Sequence, residues 1–199
     1  MAAGKNYFCS VLQENGFISL DADLICHEVI NENQQKILEI FLPIAQKLNE
    51  SVFSQNKIVL KDSNGNVNRR ELARILFFDK KMLQKQEDLI YPLLVLKIKN
   101  LILENSSKNI ILNATVLYKI PDLLKMCQKI IFVSAPFFVR FLRAKKRDKM
   151  PSLQILSRFK AQKNLYKMYK SSGIELYKFN NTGKKEKIQK FIEKNLLKS

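Results

Sequence analysis

Lys129-Ile-Ile-Phe-Val-Ser-Ala135 is the stretch on which the fold turns. A strand with one wet face alternates apolar and polar residues, and this run does not, so it reads as a strand covered on both faces, as in a parallel sheet. Asn109-Ile-Ile-Leu-Asn-Ala114 has the same texture. Phe17-Ile-Ser-Leu20, after Asn15-Gly16 and before Asp21, reads as a further short strand, and Ile174 to Phe179 as another. Helical periodicity fills the intervals. Strands alternating with helices predict an α/β layered fold with a parallel sheet. A helix-only block from about residue 33 to 105 interrupts that alternation, as an inserted subdomain does.

Helices are expected at Lys5 to Glu14, over residues 33 to 48 with a kink or interruption at Pro43, and over residues 80 to 104 with a break at Pro92. Asp62-Ser-Asn-Gly-Asn66 reads as a turn, and Asn68 as the N-cap of the helix that follows. Further helices are expected at Phe137 to Lys146, Ser152 to Tyr169 and Lys184 to Leu197.

A hydrophobic fraction of 46% with 13 Phe and 6 Tyr among 199 residues suffices for a real core and excludes a wholly disordered chain. The longest uncharged stretch around the most apolar region, Ile130 to Val139, is far shorter than the roughly 20 residues of a membrane span. No membrane segment is expected, and the first residues lack a signal-type apolar run, which points to the cytoplasm. Cys9, Cys26 and Cys127 have no paired spacing and read as buried thiols of a reducing compartment. His27 has no partner ligand in the sequence pattern and reads as structural.

The formal charge is +17, and residues 140 to 199 hold 18 Lys/Arg against 4 Asp/Glu. Such a field favours phosphate-rich ligands or polyanions. Because 28 of the 35 basic residues are Lys, the excess carries less weight than an arginine cluster would.

Ala2-Ala-Gly-Lys-Asn6 has the form of the back half of a phosphate-binding loop, with a Gly for close backbone approach, amides at a helix start and a Lys for the phosphates. The strand after that helix ends in Asp21-Ala-Asp23, carboxylates at the edge of the sheet where α/β sites form.

With these features in place, the chain resembles the dephospho-coenzyme A kinase family over nearly its whole length. Gly16 to Val29 is similar to the family's stretch through its Asp-Ala-Asp signature. Gly65-x-Val-Asn-Arg69-x-x-Leu72 with Phe77 resembles the substrate subdomain, and Ile90-Tyr-Pro92 stands where Leu-His-Pro is common. Arg143-x-x-x-Arg147-Asp148, with Arg158 and Gln162, resembles the lid, and Asn180-Asn-Thr-Gly183 a stretch near the family's C-terminus.

The resemblance implies a three-layer P-loop kinase fold. Residues 1–32, 106–136 and 170–199 would form its core, residues 33–105 a helical coenzyme-binding subdomain, and residues 137–169 a lid. It implies transfer of the ATP γ-phosphoryl group to the 3′-hydroxyl of dephospho-coenzyme A with Mg²⁺. Ala3, Gly4, Lys5, Asn6 and Tyr7 would hold the nucleotide, with Asn6 also at the metal. Asp23 would take the acceptor's proton, Arg143 and Arg147 would close over the transferring group, and Asp21 and Arg69 would contact substrate. No nucleic-acid partner is expected on this reading. The alternatives are a kinase-like protein that binds nucleotide without turnover and a basic nucleic-acid-binding protein.

The chain departs from the family pattern at four places. Asn6 replaces the hydroxyl that usually faces Mg²⁺, and Tyr91 replaces a His. Asn113 to Lys119 replaces the family's Asp-x-Pro-Leu-Leu-Phe-Glu, losing both carboxylates. The family's first strand has no counterpart, so Met1 is read as an internal methionine, and two neighbouring strands are expected to keep one unpaired edge each.

Overall fold

A computed structural model describes residues 1–51 and 57–197. Its chain divides into two compact units, Met1–Asp21 with Leu101–Ser199, and Ala22–Asn100.

In the first unit, helix α1 (Lys5–Glu14) leads through Gly16, in the left-handed region at φ +85°, into strand β1 (Ile18–Asp21). Strand β1 pairs in parallel with β2 (Ile110–Asn113), with Asp21 opposite Asn113. Strand β3 (Lys129–Ser134) pairs in parallel with β4 (Glu175–Asn180), with Ser134 opposite Asn180. Among the described residues these pairs form two separate two-stranded sheets.

Both pairs supply side chains to one core. Phe8, Val11 and Leu12 of α1 meet Phe179 of β4 and Ile188 and Ile192 of α10 (Lys185–Asn195), with Ile111, Ile131 and Val133 packed alongside. The Phe8 ring lies 5.0 Å from that of Phe179 and 5.8 Å from that of Phe191. Each fully buried side chain of this size contributes roughly 1.5–3 kcal/mol.

Between β2 and β3 run a 3₁₀ turn (Leu117–Lys119) and the short helix α6 (Pro121–Lys125). Helices α7 (Phe137–Asp148) and α8 (Ser152–Ala161) then enclose a small core of Ala144, Ile155 and Phe159, against which Met1, Ala2, Phe141 and Met150 pack. The single helix expected from Ser152 to Tyr169 is instead two, α8 and α9 (Leu165–Lys170). The physical reason is register. Ile155 and Phe159 are buried on one helical face, but the next buried pair, Leu165 and Tyr169, falls off that face, and Tyr166 lies edge-on to Phe132 of β3 at 5.2 Å.

The second unit is helical: α2 (Ala22–Glu32), α3 (Gln34–Ser51), α4 (Arg69–Phe78) and most of α5 (Lys80–Glu104). Asn68 caps α4 as expected, accepting from the amides of Arg70 and Glu71. Pro43 lies inside α3, and Pro92 lies inside α5 without ending it. An interior proline costs about 3 kcal/mol. Burial of Ile90, Leu94 and Ile98 along one face of α5 offsets that cost, so the expected break is absent.

Candidate active site

Gly4 precedes α1 and sits in the left-handed region at φ +83°. A Cβ there would lie 2.3 Å from the Asn181 Nδ2 atom. Asn181, 1% exposed, is the bolt of the loop. Its Nδ2 donates to the carbonyls of Ala3 (3.0 Å) and Gly4 (3.2 Å), its Oδ1 accepts from the Gly183 amide (2.9 Å), and its own amide donates to the Ser134 carbonyl (2.7 Å). One side chain thus ties the Gly4 loop to the segment after β4. Asn181→Ala is expected to destabilise the protein by about 1–3 kcal/mol, readable by thermal melting.

The first turn of α1 carries no acidic side chain and no side-chain cap, so its amides and its dipole remain available to an anion. Lys5 Nζ donates to the Thr115 hydroxyl at 3.4 Å. Asn113, 4% exposed at the end of β2, donates through Nδ2 to Asp21 Oδ2 (2.9 Å) and to Asn6 Oδ1 (3.3 Å), and its Oδ1 is buried without a hydrogen-bond partner. Lys5, Asn6, Asp21 and Asn113 therefore converge at the C-terminal ends of β1 and β2.

Arg143 of α7 flanks this loop. Its Nη1 would lie 3.4 Å from a Cβ on Gly4 and its Nη2 3.3 Å from one on Gly183, and Nη1 is buried with no acceptor. Arg147 differs: its fork is committed to the neighbouring Asp148, Nε to Oδ1 at 2.6 Å and Nη2 to Oδ2 at 2.9 Å. That pairing holds the Asp148 carboxyl below its usual range. Ala3 belongs to the bolted loop, and Tyr7 is 42% exposed on α1.

In the other unit, Asp23 is exposed in the first turn of α2, two residues along the chain from Asp21. Arg69, the first residue of α4, donates to the Asn31 side chain, and the Tyr91 hydroxyl donates to Glu87 at 2.8 Å.

Sequence reasoning noted Asn113, Thr115 and Asn181 without giving them a site role. An Asn directly after a strand and two residues before a Gly is the one local signal that Asn181 offers.

Among the described residues no group of three or more His, Cys, Asp or Glu could hold a metal unaided. The oxygens of Asn6 and Asp21, with the unsatisfied buried Asn113 Oδ1 behind them, suit a hard cation that keeps much of its water and takes phosphate oxygens from a nucleotide. The residues present fit Mg²⁺ held in that way.

A glycine loop opening a helix, a lysine, strand-end polar groups and an unpaired arginine on an α/β frame define a phosphoryl-transfer protein of the P-loop kinase class. A family model described as dephospho-CoA kinase matches residues 1–183. A dephospho-CoA kinase of Treponema denticola is 35% identical over 171 residues, covering 84% of this chain and 72% of that protein. One of Treponema pallidum is 28% identical, with coverage of 96% and 88%. Among solved structures, a Thermus thermophilus protein superposes with a TM-score of 0.74 at 21% identity, covering 99% of this chain and 92% of that one. A dephospho-CoA kinase from Campylobacter jejuni superposes with a TM-score of 0.62, also at 21% identity. The chain belongs to the dephospho-CoA kinase family.

Proposed function

We propose that the chain takes ATP at the Gly4–Lys5 loop and transfers its γ-phosphoryl group to the 3′-hydroxyl of dephospho-CoA, forming CoA. The observation that carries this reading is the bolted glycine loop, with Lys5, Asp21 and Asn113 on one side and the unpaired Arg143 nitrogen on the other. Phosphoryl transfer requires positioning and charge stabilisation more than covalent chemistry, and these groups are of the kinds required.

In this mechanism the amides of Ala3, Gly4 and Asn6 and the Lys5 ammonium bind the phosphates, with Tyr7 beside them on α1. Asp23 accepts the proton of the attacking hydroxyl. Arg143 spreads the charge of the transferring group, and Arg147 joins it by exchanging Asp148 for phosphate. Asp21 and Arg69 contact the acceptor substrate. Asn113 holds the Asp21 carboxylate in place and shares its amide with Asn6. Asn6 and Asp21 would hold Mg²⁺ together with the nucleotide, and the ion would supply charge neutralisation there. Residues 33–105 serve as the coenzyme-binding subdomain and residues 137–169 as the lid. The three cysteines are free thiols, and among the described residues no helix is long and apolar enough to cross a membrane. Free thiols are the state of cysteines in a reducing compartment, which supports a cytoplasmic setting.

Purified protein with ATP, Mg²⁺ and dephospho-CoA is expected to release ADP only when dephospho-CoA is present. ADP release independent of the acceptor would count against the reading. Asn6→Leu is expected to raise the Mg²⁺ concentration for half-maximal turnover by about 10–100-fold, read from a metal titration at fixed ATP.

A further inference from the structure

Arg140, Arg143 and Arg147 follow one another at three and four residues along α7, so they share one face of the helix. Their surroundings differ. Arg147 has a carboxylate partner in Asp148, whereas the buried Nε of Arg140 has no hydrogen-bond partner among the described residues. The Arg140 guanidinium carbon lies 4.1 Å from the centre of the Phe159 ring, and its Nε is buried with no acceptor. Stacking on a ring uses the flat face of a guanidinium and leaves its N–H donors, which point outward in the plane, to find acceptors elsewhere. A buried donor without an acceptor is costly, and no carboxylate of the described residues relieves this one.

Cations outnumber carboxylates along this helix, where Arg140, Arg143, Lys145, Lys146 and Arg147 face the single carboxylate of Asp148. Burial lowers the pKa of Arg140 below the usual arginine range. Phe159, on which Arg140 stacks, belongs to the same small core as Met1 and Ala2, the residues leading into the Gly4 loop. A guanidinium held next to the residues that lead into the Gly4 loop, with an unfilled donor and no counterion among the described residues, is suited to receive an anion.

We propose that Arg140 is a further polyphosphate-binding residue, forming with Arg143 a pair of guanidinium donors, one helical turn apart, that grips the phosphates of the nucleoside triphosphate. The inference rests on the kinase reading above. The resemblance that gave Arg143 and Arg147 their roles had assigned none to Arg140. The Arg140 guanidinium sits over the Phe159 ring, and an ammonium on a flexible stem replaces its planar fork of donors only in part.

The test is calorimetric binding of ATP and of inorganic tripolyphosphate to the wild-type protein, Arg140→Gln and Arg140→Lys, with adenosine as the uncharged control. Arg140→Gln is expected to weaken ATP and tripolyphosphate about ten-fold or more while adenosine affinity stays unchanged. The salt dependence of tripolyphosphate binding is expected to become shallower in the same variant, with Arg140→Lys restoring part of both losses. Circular dichroism melting of each variant confirms that folded protein is compared. Unchanged tripolyphosphate affinity in folded Arg140→Gln would overturn the inference and leave the kinase reading standing. A wild-type protein that binds neither ATP nor tripolyphosphate would overturn the kinase reading and this inference with it. Equal weakening of adenosine and tripolyphosphate would assign Arg140 a structural role and overturn the inference alone.

Discussion

Asp23→Asn is expected to lower kcat for phosphoryl transfer by about 10²–10⁴-fold while the KM for ATP stays nearly constant. The substitution keeps the size of the side chain and its ability to accept a hydrogen bond, and removes the basicity that takes the hydroxyl proton. Asp23 is exposed in the first turn of α2, where its charge favours the helix dipole by about 0.3–1 kcal/mol. A melting temperature within a few degrees of wild type, beside a collapse of turnover, would separate chemistry from stability. Asp21→Asn makes the contrast. That carboxylate accepts from Asn113, so its loss is expected to act on the metal requirement as well as on kcat.

The second large effect is expected of Gly4→Ala. At φ +83° a side chain costs about 1–2 kcal/mol of backbone strain. The added Cβ also falls 2.3 Å from Asn181 Nδ2, so that buried amide must give up its bonds to Ala3 and Gly4, a further cost of about 1–3 kcal/mol. Together these lower the melting temperature by roughly 5–15 °C for a chain of this size. ATP affinity is expected to fall more than ten-fold, because the same displacement moves the amides that face the phosphates. A melting temperature within 2 °C of wild type, with full ATP affinity, would contradict the role given to the Gly4–Asn181 contact.

Several parts of this structure are legible in the sequence because their causes are local. The continuous apolar run at residues 129–135 forms a parallel strand, and the Asn68 side chain caps α4. Where the cause is tertiary, local reasoning fails. Pro92 does not break α5, because three buried side chains hold one face of that helix on both sides of it. The split between α8 and α9 follows from Tyr166 and Tyr169 meeting Phe132 on β3, a contact no helical periodicity anticipates.

The candidate site divides in the same way. Gly4, Lys5 and the two aspartates are visible as a spaced pattern. The bond from Asn181 to a loop 177 residues away, and the amide of Asn113 shared between Asn6 and Asp21, exist only once β2 and β4 are in place. Arg140 looks like any arginine on a basic helix until its ring partner and its missing acceptor are seen together.

The destination of the phosphate decides whether Asp23 is the base of this reaction. Wild-type protein and Asp23→Asn, each given ATP, Mg²⁺ and dephospho-CoA, should be compared by mass spectrometry and phosphorus NMR of the acceptor. The account predicts ADP and 3′-phosphorylated product in equal amounts from the wild type, and initial rates lower by at least about a hundred-fold from Asp23→Asn. An acceptor left unphosphorylated by a wild-type chain that binds ATP, or undiminished product from Asp23→Asn, would contradict it.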